Sequence, residues 1–184
     1  MTAISDFILA RSSEPRLQAP GPGPGVLARA FACAARAPDH GLLRPWRYLV
    51  VEGEGLERLG DLFADTYDLD ANEKIVAKLR KSSLRAPVVI VAIASPVEHP
   101  KIPTSEQVLS AAASTTLLEL ALQDAGFGVM WRTGSPAYNP AVKRALGLSE
   151  QESVVGFIYT GSVVCAKPAV PRPEPMAFVS RWPQ

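Results

Sequence analysis

The run PVVIVAIAS, residues 87–95, constrains this chain more than any other stretch. It is rich in β-branched residues and nearly unbroken in apolar character. A strand with one wet face alternates apolar and polar residues, whereas a strand covered on both faces does not. The run therefore predicts a central strand with helices packed on either side. The longest apolar run, APVVIVAIA at 86–94, is far too short to span a bilayer, which takes about 20 residues.

Helical periodicities supply the covering layers. Ile4, Phe7 and Ile8 predict a short amphipathic helix over 3–11, and Val26, Leu27, Ala30, Phe31 and Ala34 predict a second beyond the flexible APGPGPG connection at 19–25. That second helix is expected to end by Ala37, because a residue before proline is pushed out of helical geometry. Leu56, Leu59, Leu62 and Phe63 mark a third helix, and 72–83 reads as a fourth, more basic one. Thr104 and Gln107 resemble a capping box opening a long helix that stops near Gly126. Asn139 and Pro140 form an N-cap and first turn for a helix to 146. Strands are expected at 47–52, 128–133 and 153–161.

These elements alternate without regular βαβ spacing, and no GxGxxG follows a strand, which disfavours a dinucleotide-binding doubly wound sheet. One α+β domain over 1–184, with helices around a central sheet, is the expected architecture. The tail departs from that pattern. Four prolines in 168–175 exclude a helix or a central strand, yet Phe178, Val179 and Trp182 are apolar. An extended arm over 168–184 with such residues needs a surface to lie on. A second copy of the chain is the expected surface, and packing on its own domain is the alternative.

A formal net charge of +1 gives no global field favouring nucleic acid or an anionic membrane, so any anion site is local. The N-terminal stretch lacks the pattern of a secretory signal, and a cytoplasmic location is expected. Cys33 and Cys165 have no metal-ligand or disulfide-framework spacing, and His40 and His99 are too few for a zinc site. No GxSxG elbow is present. The candidate residues are instead cations and hydroxyls beside turns: Arg11 with Ser12 and Ser13, Arg36 and His40 around Pro38, Arg132 and Thr133 after Trp131, and Lys167. Brought together, they would make a phosphate clamp; held apart, they are solvated charges. With no self-sufficient catalytic side-chain set, an enzyme of this sequence needs a bound cofactor for its difficult chemistry.

The motifs ARSS at 10–13, ARAPDH at 35–40 with PW at 45–46, and GFGVMWRTG at 126–134 resemble the FMN-dependent nitroreductase family, most closely its smallest single-domain subgroup. The resemblance covers the chain from its first helix to about Lys167. It implies a mostly antiparallel sheet flanked by helices, and an intertwined homodimer in which a C-terminal arm embraces the partner. It implies FMN as cofactor, held at its phosphate and ribityl end by Ala10, Arg11 and Ser12, with Lys167 near the phosphate. Arg36 and His40 would reach FMN across the dimer interface, and Trp131, Arg132 and Thr133 would line the flavin. ALQDAG at 121–126 would meet the nicotinamide nucleotide. Catalysis in such a protein is ping-pong: NADH or NADPH gives hydride to flavin N5, leaves, and is replaced by a small-molecule electron acceptor such as a nitroaromatic or quinone.

Two positions depart from the subgroup. Ala10 stands where an arginine is usual, which could weaken phosphate binding by about 1.5–3 kcal/mol unless a residue such as Arg16 compensates. Arg44 stands where many relatives carry glutamine before PW, and is expected to shape the cavity mouth. These departures motivate an alternative, a flavin-binding protein without efficient turnover. A Cys33/His40 hydrolase is a third reading, supported only by sequence proximity.

Overall fold

In the computed structural model, which describes residues 3–67, 72–165, 167 and 171–183, the chain runs α1 (Ala3–Ala10), β1 (Leu17–Gln18), α2 (Pro24–Ala34), β2 (Trp46–Glu52), α3 (Glu54–Asp65), α4 (Glu73–Arg80), β3 (Val88–Ala94), α5 (Thr104–Asp124), β4 (Gly128–Arg132), α6 (Ser135–Tyr138), α7 (Pro140–Ala145) and β5 (Ser153–Val163). The sheet is antiparallel throughout. β3 lies between β2 and β5, β4 flanks β5, and the two-residue β1 pairs the far end of β5. This is an α+β fold with helices on both faces of one sheet.

Every residue of β3 is buried, as its unbroken apolar run predicts. Alternation along the strand sends Val89, Val91 and Ile93 to one side, where they pack with Leu56, Leu59 and Phe63 of α3 and with Phe157 and Tyr159 of β5. Val88, Ile90 and Ala92 turn to the other side, against Ala30 and Ala34 of α2 and Leu118 and Leu122 of α5. A buried hydroxyl chain ties that second layer together. Tyr48 Oη donates to Ser114 Oγ at 2.7 Å, and Ser114 Oγ donates to Ala34 O at 2.8 Å.

Several boundaries follow their local signals. Asn139 Oδ1 accepts from Ala141 N at 2.8 Å with Pro140 at the first helical position. Gly126, at φ +88, ends the long helix in a conformation that a Cβ would strain. α2 ends at Ala34, ahead of the Pro38 limit.

The expected capping box at Thr104 does not form. Pro103 takes the N-cap position, leaving Thr104 inside the helix. Gln107 is drawn away to the preceding loop, where its amide accepts from Val97 N and donates to Val97 O and Ile102 O at 2.8–3.2 Å.

Arg47 on β2 clamps the loop before β5. Its Nε and Nη2 donate to the two carboxylate oxygens of Glu152 at 2.6 and 2.8 Å, and Ser149 N adds a third bond to that carboxylate. Glu152 is 8% exposed. The guanidinium lowers its pKa from 4.5 to about 2. A carboxyl held below its unfolded value stabilises the fold fully above pH 4.5 and loses that contribution as pH falls towards 2. Because Arg47 is partly solvated, the loss is discounted to about 2 kcal/mol. Urea melts between pH 6 and 2 should show it, and Glu152→Gln should flatten that acid limb.

No helix among the described residues is long and apolar enough to cross a membrane. α1 is amphipathic in sequence, yet Ile4, Ile8 and Leu9 face outward. The arm expected over 168–184 is described here only for 171–183; residues 168–170 and 184 lie outside the described set. All of 171–183 is exposed. Among the described residues, those after Arg172 hydrogen-bond only within the arm. Arg172 is the described arm residue that bonds the rest of its own domain, through Arg11 O.

Candidate functional site

The edge strand β4 organises the site. One side pairs with β5. On the other side Val129 O accepts from Glu14 N at 2.8 Å, which anchors the segment after α1. Since backbone direction repeats every second residue, Trp131 N–H and C=O point the same outward way, unpaired by the sheet. The strand thus offers a donor and an acceptor along its outer edge with no sheet partner among the described residues.

At the start of β4 the chain gathers cations. A cavity of about 230 Å³ is lined by Phe7, Ala10, Arg11, Ser12, Gln123 and Gly128, among others. Ser12 Oγ donates to Glu14 Oε1 at 2.7 Å. Lys167 Nζ donates to Ser13 O and lies 3.6 Å from Glu14 Oε1. Arg172 Nη2 donates to Arg11 O at 2.6 Å. Ala10, Arg11, Ser12 and Lys167 are therefore brought to one place, and Arg172 joins them. Arg16 does not fill in for the arginine missing at Ala10; its Nη1 is turned to Cys165 Sγ at 3.8 Å.

Two polar groups on α5 complete this end. Glu119 is 6% exposed. Burial pushes its carboxyl pKa up, and the charge of Arg11 pulls it back. One turn on, Gln123 Nε2 is buried without a hydrogen-bond partner. Gln123 belongs to the ALQDAG stretch, so that stretch borders the cation cluster.

At the other end of β4 a larger cavity, about 490 Å³, is bordered by Trp131, Arg132 and Thr133 and walled by Phe63, Phe157 and Tyr159. Alternation sends the side chains of Trp131 and Arg132 to opposite faces of the sheet, so they do not form one wall. Trp131 packs with the α2–α5 layer, and its Nε1 donates to Val155 O at 3.2 Å. The Arg132 guanidinium sits 5.6 Å from the centre of the Tyr159 ring, and its Nε is buried with no partner. A ligand meets all three residues only along the strand's free edge.

Arg36 and His40 lie elsewhere. Both are exposed, and His40 Nδ1 is 2.8 Å from Glu106 Oε2 at the start of α5. Arg11 faces Glu119 of the same helix, thirteen residues on. At about 1.5 Å per residue the two points are about 20 Å apart along the axis. Within one chain these groups do not converge. Arg44 is also exposed, in the left-handed region at φ 51, with its N–H donating to Asp39 Oδ2 at 2.7 Å. His40 is committed to Glu106 rather than to Cys33. No metal-binding group of His, Cys, Asp or Glu is assembled among the described residues.

The donor set suits the FMN that the motif resemblance implies. Cations and a hydroxyl suit a phosphate and ribityl chain at one end of β4. Unpaired peptide groups and aromatic walls suit a flat heterocycle at the other. The four steps from Gly128 to Arg132 cover about 13 Å, a length on the scale of the cofactor.

Sequence reasoning missed Arg172 and Gly156, over which the Trp131 indole lies. For Gly156 a signal existed, since a glycine inside an apolar strand marks close approach by a neighbour.

Known proteins resemble this chain across nearly its full length. A model of the nitroreductase family matches residues 8–162. YdjA of Escherichia coli (strain K12), provisionally named an NAD(P)H nitroreductase, is 33% identical over 177 residues, covering 95% of this chain and 97% of YdjA. A nitroreductase-like protein from Bacillus cereus superposes with a TM-score of 0.88 at 23% identity, covering 100% of this chain and 98% of that one. A mutant of NfnB, an FMN- and NADPH-dependent nitroreductase from Sphigopyxis sp. strain HMH, gives 0.77 at 20% identity with full coverage of both chains. At these identities the two structural likenesses establish a shared fold.

Proposed function

The chain belongs to the nitroreductase family, and on that premise we propose an FMN-dependent oxidoreductase, one domain over 1–184, that takes hydride from NADH or NADPH. Its acceptors are nitroaromatics, quinones or similar small molecules. The observation that carries this reading is the arrangement along β4, with Arg11, Ser12 and Lys167 at one end and an aromatic cavity at the other. When bound, FMN supplies the two-electron chemistry between nicotinamide and acceptor that these side chains lack.

The protein's own part is binding and orientation. Arg11, Lys167 and Arg172 would neutralise the phosphate, and Ser12 would bond the ribityl end. The outward peptide groups of Trp131 would hold the ring edge, while its indole, bonded to Val155 O on the α2–α5 face, fixes the strand that presents them. Both substrates use the aromatic cavity in turn, so double-reciprocal plots are parallel, as ping-pong turnover requires. For a nitro acceptor the balance is R–NO₂ + NAD(P)H + H⁺ → R–NO + NAD(P)⁺ + H₂O.

One chain leaves the site open, because the start of α5, where His40 meets Glu106, stands about 20 Å along the helix axis from the level of Glu119 that faces Arg11. A two-fold partner with its α5 antiparallel brings its own Arg36 and His40 end opposite Arg11. The same partner covers Ile4, Ile8 and Leu9 of α1 and Leu109 of α5, the last 69% exposed. The homodimer is thus part of the site.

Purified protein should be yellow, its flavin absorption bleaching under anaerobic NADH or NADPH and returning on addition of a nitroaromatic or quinone. Colourless protein that FMN does not reconstitute would refute the reading. Flavin that binds but is not reduced would favour the alternative, a binding protein without turnover.

A further inference from the structure

We propose that the cavity at the C-terminal end of β4 selects acceptors that carry an anionic group on an aromatic ring. The inference rests on the preceding reading for the reaction, and on the cavity itself for the ligand. Its floor is aromatic: Phe157 is 1% exposed, and Phe63 and Tyr159 are each 3% exposed. Three cations from different elements border it, namely Lys78 of α4, Arg85 of the 3₁₀ turn at Ser83–Arg85, and Arg132 of β4. No aspartate or glutamate lines it. None of the three makes an ion pair among the described residues.

Ion pairs are few among the described residues, joining Arg47 to Glu152, Arg80 to Asp61 and Asp65, and Lys167 to Glu14; what marks these three cations is that they border one cavity with no carboxylate in its lining. Lys78 and Arg85 stand at the exposed rim and Arg132 deeper, and three cations with no acidic partner among the described residues favour an anion, while a buried donor with no acceptor is costly. Arg132 Nε is such a donor, and it lies against the face of Tyr159. Arg85 acts on the same ring, since the charges of Arg85 and Arg132 both counter the upward push of burial on the Tyr159 hydroxyl pKa. Two of the cations therefore bear on one aromatic wall. Flat apolar walls with guanidinium groups at the margin suit an arene carboxylate, the ring lying on the floor and the carboxylate taking paired hydrogen bonds. The phosphate of FMN has its own cations at the far end of β4, so Lys78 and Arg85 are left for the acceptor, with Arg132 between it and the flavin.

Calorimetric titration of flavin-loaded protein with 4-nitrobenzoate and with 4-nitrobenzamide tests the proposal, alongside kcat/KM for each. The carboxylate should bind about tenfold tighter than the amide, as expected for a charge-assisted contact, with the kinetic difference carried by KM. Lys78→Gln with Arg85→Gln should bring both ratios close to one, whereas Arg85→Lys, which keeps the charge, should retain most of the preference. Equal affinities in the parent protein, or a preference that survives the double glutamine change, would overturn it. So would nitrobenzoate binding that FMN abolishes, because the cations would then serve the cofactor. Should the protein take up no FMN, the oxidoreductase reading fails separately. The same titration on that protein still decides the anion site.

Discussion

A chain ending at Pro173 is expected to fold as a monomer that no longer retains FMN. The segment removed carries Met176, Phe178, Val179 and Trp182, which are 56–93% exposed on their own domain. Burying each such side chain contributes about 1.5–3 kcal/mol. Four of them on each of two arms offer about 12–24 kcal/mol of apolar burial against the cost of ordering the arms, and a partner's surface is the proposed place for it. Losing them should raise the dimer dissociation constant at least a thousandfold, about 4 kcal/mol. Flavin should leave with the partner if Arg36 and His40 serve the cofactor from the second copy, as proposed. The apoprotein should melt within a few degrees of the full-length monomer, since the removed residues bond only among themselves. Sedimentation with flavin absorbance reads both quantities. A truncated chain that stays dimeric and yellow at micromolar concentration would remove the arm from the assembly. A large fall in melting temperature of the monomer would return the arm to its own domain.

That expectation began with four prolines and three apolar residues, and it shows what kind of information a sequence exposes. Features set by local periodicity were legible. The unbroken PVVIVAIAS run announced a strand covered on both sides, and Asn139–Pro140 announced a helix start. Features set by tertiary competition were not. Thr104 and Gln107 have capping-box spacing, but Pro103 holds the cap position and the loop at 96–102 claims the glutamine amide. The site divides in the same way. Arg11, Ser12 and the GVMWRT strand stand out because their turns are local. Arg172 enters from a proline-rich segment 161 residues away in sequence, with no periodicity to mark it. Lys78 and Arg85 are exposed charges on a basic helix and turn, and only the tertiary fold puts both on the border of the cavity that Tyr159 lines. The strand motif itself conceals that Trp131 and Arg132 turn to opposite faces, because a matched string of letters carries no pleat.

Gly156→Ala is expected to destabilise the protein by about 3 kcal/mol, near the top of the range for a single added carbon. A Cβ at 156 would lie 2.6 Å from Cδ1 of Trp131 and closer still to Nε1, so the indole has to move. Its hydrogen bond to Val155 O fixes the ring in place, and its neighbours Leu118, Leu122 and Ile158 are fully buried. Little room exists for the ring to tilt inward. The path left to it runs outward on the α2–α5 face, past the edge of β4. Because the flavin is proposed to lie along that edge, loss of stability and loss of flavin should appear together. The sign of the effect is informative, because alanine in place of a glycine with negative φ ordinarily stabilises by about 0.4–1 kcal/mol through the unfolded chain. In a Trp131→Leu background the obstructing atoms are gone, and Gly156→Ala should cost little or become favourable. Denaturant melts of the two single variants and the double variant measure that coupling. If the two changes add without interaction, the glycine is not there to seat the indole, and Trp131 owes its position to the helices above it.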